Sequence, residues 1–295
     1  MRTILASLAL SLIGTALFAQ QRPAITGIAF VRVYSADRDA SAAFYDHDLG
    51  FTRVNQGAMD RYAVSDSQWF EVAPLPSPAP IARLAAVAFT TRDAAGLVKY
   101  LKSRSVPIEQ PLNKGAFAVK DPEGNLVYFV QTGSQKIPAS AISSRKSSGR
   151  IIHTGFAVQS EQAEDKFYRD ILGFKPNWRG GRDNKIDWVS LQVPEGSDWL
   201  EYMLNAGPSP SAKQLGVMDH FSLGTAQMSG VVDALARNGC TSPNCKKSQM
   251  GLDGKVQLNV FDPDLTRVEY MEFKPSGTIC CSPILGKTPT ELEEK

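Results

Sequence analysis

The sequence is short of the residues that most often mark chemistry. It has three histidines and four cysteines in 295 residues. The cysteines, Cys240, Cys245, Cys280 and Cys281, lack the paired Cys-x2-Cys spacing of a zinc cluster. None follows the N-terminal apolar run, so lipid attachment there is not expected. An excess of one charge is also missing. Net charge is +2, with Lys and Arg spread along the chain, which argues against nucleic acid or an anionic membrane surface as partner. The apolar run at 4–18 falls short of the ~20 residues needed to span a bilayer. With Arg2 before it and Ala19-Gln20-Gln21-Arg22-Pro23 after it, the pattern is that of a secretory signal peptide, residues 1–19. The mature protein is therefore expected to be exported, periplasmic or extracellular, with no membrane contact after cleavage. Disulfides persist in such compartments. Four cysteines allow three pairings, and bridges tying the C-terminal tail to the last structural unit are expected.

What is present is a soluble composition, 43% hydrophobic and 21% charged, long enough for two ordinary domains. The chain repeats itself. Phe44-Tyr45-Asp46-His47-Asp48-Leu49-Gly50-Phe51 returns 123 residues later as Phe167-Tyr168-Arg169-Asp170-Ile171-Leu172-Gly173-Phe174. A second pair, beginning Asp121-Pro122-Glu123 and Asp262-Pro263-Asp264, is 141 residues apart, so the second half carries insertions. Each half divides again. Alternating strands are predicted at 25–33, 84–90, 151–158 and 218–224, with helices after them at positions such as 40–48 and 230–238. Further strands follow at 69–72, 126–130, 199–204 and 267–273. The pattern is βαβββ four times. A Ser-, Ala- and Lys-rich stretch, 134–149, links an N-terminal domain at 25–133 to a C-terminal domain at 150–274, and 275–295 forms a tail.

In the segments "FYRDILGF", "DPEGNLVYF" and "RIIHTGFAV" the chain resembles the vicinal oxygen chelate superfamily, which includes glyoxalase I, extradiol dioxygenases and bleomycin-resistance proteins. The resemblance covers nearly all of 25–274. It implies an α+β fold in which four βαβββ modules pair into two domains, each curling its strands around a cleft. Metal ligands in that family come from the first and last strands of a module. Carried over residue by residue, the second half offers His153, Glu201, His220 and Glu269, while the first half offers Phe30, Glu71, Ala86 and Tyr128. The resemblance thus implies one divalent metal ion (Ni, Fe, Mn, Co or Zn) in the second half and a degenerate copy in the first.

The residues support this reading on their own chemistry. Alternation puts Gly155 and Ala157 on the face of His153, and Ser222 and Gly224 on the face of His220, which leaves room above the ligands. Two carboxylates facing each other would repel unless one bound a proton or a cation lay between them. Phe30 and Tyr128 are expected to fill the first cleft, with Glu71 in a salt bridge to Arg32. His47 is expected on the surface. The insertion carrying Trp178, Arg179, Arg182, Asn184 and Trp188 reads as an ordinary surface loop, with pocket lining as the alternative.

The four-ligand set is most similar to glyoxalase I. It implies an isomerase or lyase acting on a small-molecule substrate, with Glu269 a firm ligand and Glu201 or Glu269 as catalytic base. An extradiol-type dioxygenase is the rival, and a non-catalytic binding or resistance protein the third reading. Oligomeric state and metal identity stay open.

Overall fold

A computed structural model describes residues 21–291; the predicted signal peptide lies outside the described residues, as do the last four of the tail. Its strands follow the fourfold pattern. The first quarter holds β1 (Ile25–Ser35), α1 (Arg38–Ala42), β2 (Arg53–Gln56), β3 (Met59–Ala63) and β4 (Trp69–Pro74). The second holds β5 (Leu84–Thr91), α2 (Ala94–Ser103), β6 (Gln110–Asn113), β7 (Ala116–Lys120) and β8 (Leu126–Gln131). The third holds β9 (Ile151–Ala157), α3 (Glu161–Asp165), β10 (Lys175–Gly180), β11 (Trp188–Gln192) and β12 (Trp199–Met203). The fourth opens with a helix not read from the sequence, α4 (Ala212–Met218), then β13 (His220–Thr225), α5 (Met228–Arg237), β14 (Ser248–Met250), β15 (Val256–Phe261) and β16 (Arg267–Glu272).

Local chemistry sets these boundaries. Asp37, Asp93 and Ser160 cap α1, α2 and α3 by accepting backbone N–H groups, and Ser211 with Gln214 forms a capping box on α4. After α1 and α3 the chain widens into π-helical turns, Ala43–Asp48 and Lys166–Ile171. Both end at a glycine of the repeated motif, Gly50 (φ 79°) and Gly173 (φ 76°), where a left-handed backbone favours a residue without Cβ.

Each half forms one eight-stranded sheet, ordered β2-β3-β4-β1-β5-β8-β7-β6 and β10-β11-β12-β9-β13-β16-β15-β14. Within a module the first and last strands pair in parallel (β1 with β4, β12 with β9). The two modules meet through their antiparallel first strands. The central four strands of the second sheet are therefore β12, β9, β13 and β16, the four that carry the candidate ligands. Both sheets share one large core. Phe70 packs on Phe221 and Phe89 on Phe174, with ring centroids 5.4 and 5.1 Å apart.

One expectation needs correction. The disulfides do not tie the tail to the last module: Cys240 pairs with Cys245 and Cys280 with its neighbour Cys281, so both bridges are local. The tail is instead held by hydrogen bonds, and through residue 291 it is a strap laid across the second sheet. Cys280 N–H donates to the Leu252 carbonyl, Leu285 N–H to the Asn177 carbonyl and Lys287 N–H to Gln192 Oε1, each at 2.8 Å.

Candidate metal centre

Register brings the four candidate ligands together. Across the central strands of the second sheet, Glu201 lies beside Gly155, which lies beside His220. In the next row His153 lies beside Ser222, which lies beside Glu269. Directly paired residues share a face of the sheet, and so do residues two apart on a strand. All six therefore point to one side, with the large side chains separated by the small ones. A Cβ on Gly155 would come within 2.3 Å of His220 Cε1, so the imidazole occupies the space a side chain would need.

The ligating atoms converge. His153 Nε2 lies 3.0 Å from both His220 Nε2 and Glu269 Oε2. His220 Nε2 is 3.5 Å from Glu269 Oε2 and 3.6 Å from Glu201 Oε2. One atom each from His153, Glu201 and His220 fits within 4.8 Å. The histidines and Glu269 are buried, and only Glu201 has appreciable exposure, 13% of its side chain. His220 Nδ1 donates to the Met218 carbonyl at 2.7 Å. A carbonyl can only accept, so this bond leaves the Nε2 lone pair facing the cluster, as a metal-ligating imidazole requires. His153 is held differently, stacked on Trp199 with ring centroids 4.7 Å apart.

The electrostatics separate the two carboxylates. Burial pushes the Glu201 carboxyl up to about 8, and Glu269 beside it adds to the rise. Burial acts upward on Glu269 too, but Arg267, His153 and His220 outweigh it and hold that carboxylate well below its usual range. Burial lowers both imidazoles, His220 to about 4, so both are neutral near pH 7. Two neutral imidazoles, one ionised carboxylate and one protonatable carboxyl at a single point form a donor set suited to a borderline divalent ion. Ser222 Oγ, on the same face between His153 and Glu269, is buried without a hydrogen-bond partner, which agrees with this fit.

The cluster opens into a cleft of about 400 Å3 whose walls include Trp178, Arg182, Trp188, Met203, Met218 and Met271. Three residues of the second-half insertion thus line the cleft rather than a plain surface loop. Trp178 and Trp188 sit on strands, and the Arg182 guanidinium lies 5.2 Å over the Trp188 ring. Arg179 does not line the cleft and pairs with Glu161; Asn184 does not line it either. The sequence reading missed Trp199 and Arg267 as supports of the site. Each stands two residues before a ligand on the same strand, so alternation alone could have flagged both.

The first sheet has the same two rows with other occupants. Glu71 lies beside Arg32, which lies beside Ala86, and Phe30 lies beside Ala88, which lies beside Tyr128. Phe30, Trp69 and Tyr128 pack into an apolar cluster. Arg32 stands where Gly155 stands in the second half, in the room that Ala86 leaves. Its guanidinium binds Glu71 at 2.7 Å and donates to the Tyr128 hydroxyl at 3.2 Å. A fixed organic cation thus sits among the counterparts of the candidate ligands. His47 has 65% of its side chain exposed and pairs with its neighbour Asp48.

The model of the glyoxalase/bleomycin resistance protein/dioxygenase superfamily matches residues 27–129 and 150–270. The chain belongs to that superfamily. Among solved structures it is similar to homoprotocatechuate 2,3-dioxygenase from Brevibacterium fuscum. A single-residue variant of that enzyme aligns with TM-score 0.65 at 17% identity, over 85% of this chain and 72% of the other. Its anaerobic complex with 3,4-dihydroxyphenylacetate aligns with TM-score 0.64 at 16% identity, over 85% and 82%. An extradiol ring-cleaving dioxygenase from the same organism aligns with TM-score 0.64 at 17% identity, over 88% and 76%. At such identity the likeness is one of fold. No curated protein matches the chain.

Proposed function

We propose that this superfamily member is an exported, divalent-metal-dependent, glyoxalase-like isomerase or lyase that moves a proton on a carbon next to a carbonyl. The observation that carries the reading is the convergence of His153, Glu201, His220 and Glu269, with the two carboxylates driven apart in acidity. A divalent ion held there supplies a Lewis acid for the carbonyl oxygen. Glu269, ionised and backed by Arg267, is the firm ligand. Glu201 has the opposite character. It is the most exposed of the four, faces the cleft, and has an affinity for protons near neutral pH, where a general base works best. It takes the proton from the substrate carbon and returns it to the neighbouring atom.

Extradiol ring cleavage is the second reading, favoured by the fold likeness to homoprotocatechuate 2,3-dioxygenase. Proton handling weighs against it. With Glu201 bound, four protein ligands on a six-coordinate ion leave two positions, whereas two catechol oxygens and O2 need three, so ring cleavage would need Glu201 to leave. The only histidine outside the cluster is His47, exposed on the surface of the first half. The test loads the mature protein with each candidate ion in turn. Solvent-deuterium exchange at a 2-hydroxy or 2-thio carbonyl compound, lost in Glu201→Gln, is the expected result. A yellow ring-opened product from catechols with Fe(II) and O2 would replace this reading with the second. Metal binding with neither reaction would make the protein a binding module.

A further inference from the structure

The C-terminal strap crosses the second sheet from one edge to the other, and it is pinned at Cys280. The Cys280 N–H donates to Leu252 at 2.8 Å, in the turn between β14 and β15. The Cys280 carbonyl accepts from Trp178 Nε1 at 3.0 Å, on β10 at the opposite edge. Leu252 and Trp178 both line the cleft onto which Glu201 and Glu269 face. One residue therefore ties two walls of that cleft together. Arg179 N–H adds a bond to Ser282 Oγ at 2.9 Å. Past this point the strap is seated closely: a Cβ on Gly286 would meet Asn177 Oδ1 at 2.5 Å.

Cys280 is also half of a bridge to the next residue. Cys281 is exposed and Cys280 partly so, whereas Cys240 and Cys245 are 6% and 2% exposed. A thiolate needs access to a sulfur to attack it, so the two bridges differ in reactivity for a geometric reason. Cys281 has a backbone φ of 78°, a left-handed conformation that residues other than glycine adopt rarely. A covalent link between adjacent residues restricts that backbone. Without the link, Cys281 is free to return to the ordinary region, which turns the Cys280 carbonyl away from Trp178.

We propose that the Cys280–Cys281 bridge is a redox-modification site, and that its reduction by a dithiol releases the strap from the walls of the cleft. One thiolate of the dithiol attacks Cys281 Sγ, the S–S bond breaks, and Cys280 leaves as a thiolate. The second thiol then displaces Cys281 from the mixed disulfide. Two electrons and two protons pass to the cysteines, and the dithiol leaves as a disulfide. The bridge opens before Cys240–Cys245, and the two walls of the cleft are tied to each other in the oxidised protein and released from each other in the reduced one.

The test uses the mature full-length chain. Alkylation without reductant should label no cysteine; labelling at Cys280 or Cys281 would overturn the proposal. Brief dithiol treatment should add two labels there and none at Cys240 or Cys245, and the reverse order would overturn it. Hydrogen exchange at the amides of Cys280, Leu285, Gly286 and Lys287 should rise about tenfold on reduction, the loss expected for roughly one net hydrogen bond. The double variant Cys280→Ser/Cys281→Ser should match the reduced protein without any reductant. Unchanged exchange in both would sink the idea. In protein carrying a divalent ion, a chelator should strip the ion faster by a similar factor, and an unchanged rate would remove the gating role. Only that last measurement rests on the metal reading above, so a protein that holds no ion but loosens its strap counts against that reading and for this one.

Discussion

Tyr45 donates its hydroxyl proton to Asp262 across the boundary between the halves, Oη to Oδ2 at 2.9 Å. Its repeat counterpart does the same in the other direction, Tyr168 to Asp121 Oδ2 at 3.2 Å. The two most obvious sequence repeats are thus partners. The tyrosine motif of module one meets the Asp-Pro turn of module four, and that of module three meets module two. Sheets join modules within a half, while these contacts join modules across halves. Each Asp also accepts backbone N–H groups of its own turn, Asp262 from Asp264 and Thr266. Tyr45→Phe should therefore keep the fold and cost about 1–2 kcal/mol, measured by urea unfolding. No loss of stability would mean that the contact only marks proximity.

Metal binding should separate the halves. His220→Ala should abolish stoichiometric uptake of a divalent ion, by calorimetry or elemental analysis, because it removes the ligand whose lone pair is fixed toward the site. Glu71→Ala should leave uptake intact. That variant should nonetheless lose roughly 2–3 kcal/mol of stability, because Arg32 and Arg61, both bound to Glu71, would stay part-buried without their carboxylate. Equal metal loss in the two variants would end the account of a degenerate first half.

Gly155→Ala tests the packing of the site rather than its ligands. The new methyl group would collide with the His220 ring, which has a hydrogen bond to Met218 to give up before it can move. The expected outcome is a folded protein with metal affinity at least about tenfold weaker, equivalent to ~1.4 kcal/mol. Unchanged affinity would show that the ring has another place to go.

The boundary between the halves should also make stability depend on pH. Glu164 is buried beside Asp121 and Glu123, and burial followed by those two charges raises its carboxyl to about 9. Burial raises Asp121 to about 6. The folded protein then binds more protons than the unfolded chain between the ordinary values, 4.5 and 3.8, and the raised ones. Stability is full below the ordinary values and falls as pH rises through the raised ones. Glu164→Gln should remove most of this slope and be the more stable protein at pH 9, by on the order of 2 kcal/mol. A wild-type stability that stays flat from pH 6 to 9 would contradict it.

The sequence by itself determined the fourfold module, the four positions whose side chains converge in the second half and the different residues at their counterparts in the first. The reason is that these are short-range properties. A strand's alternation fixes which residues share a face, so His153, Glu201, His220 and Glu269 could be placed by counting within repeats, and Phe30, Ala86 and Tyr128 by the same count. Arg32 was visible as a partner of Glu71, but its place over the first cleft depends on Ala86 being small on a neighbouring strand, which only register reveals. The inward lone pair of His220 needed the carbonyl of Met218, at the end of a helix the sequence pattern did not announce. The cysteine pairing and the path of the strap were out of reach for the same reason. Residues 275–291 have no regular hydrophobic period, and their position comes from hydrogen bonds to Asn177, Gln192 and Leu252, partners far away in sequence. Periodicity carries information about faces, and only the folded chain decides which faces and edges meet.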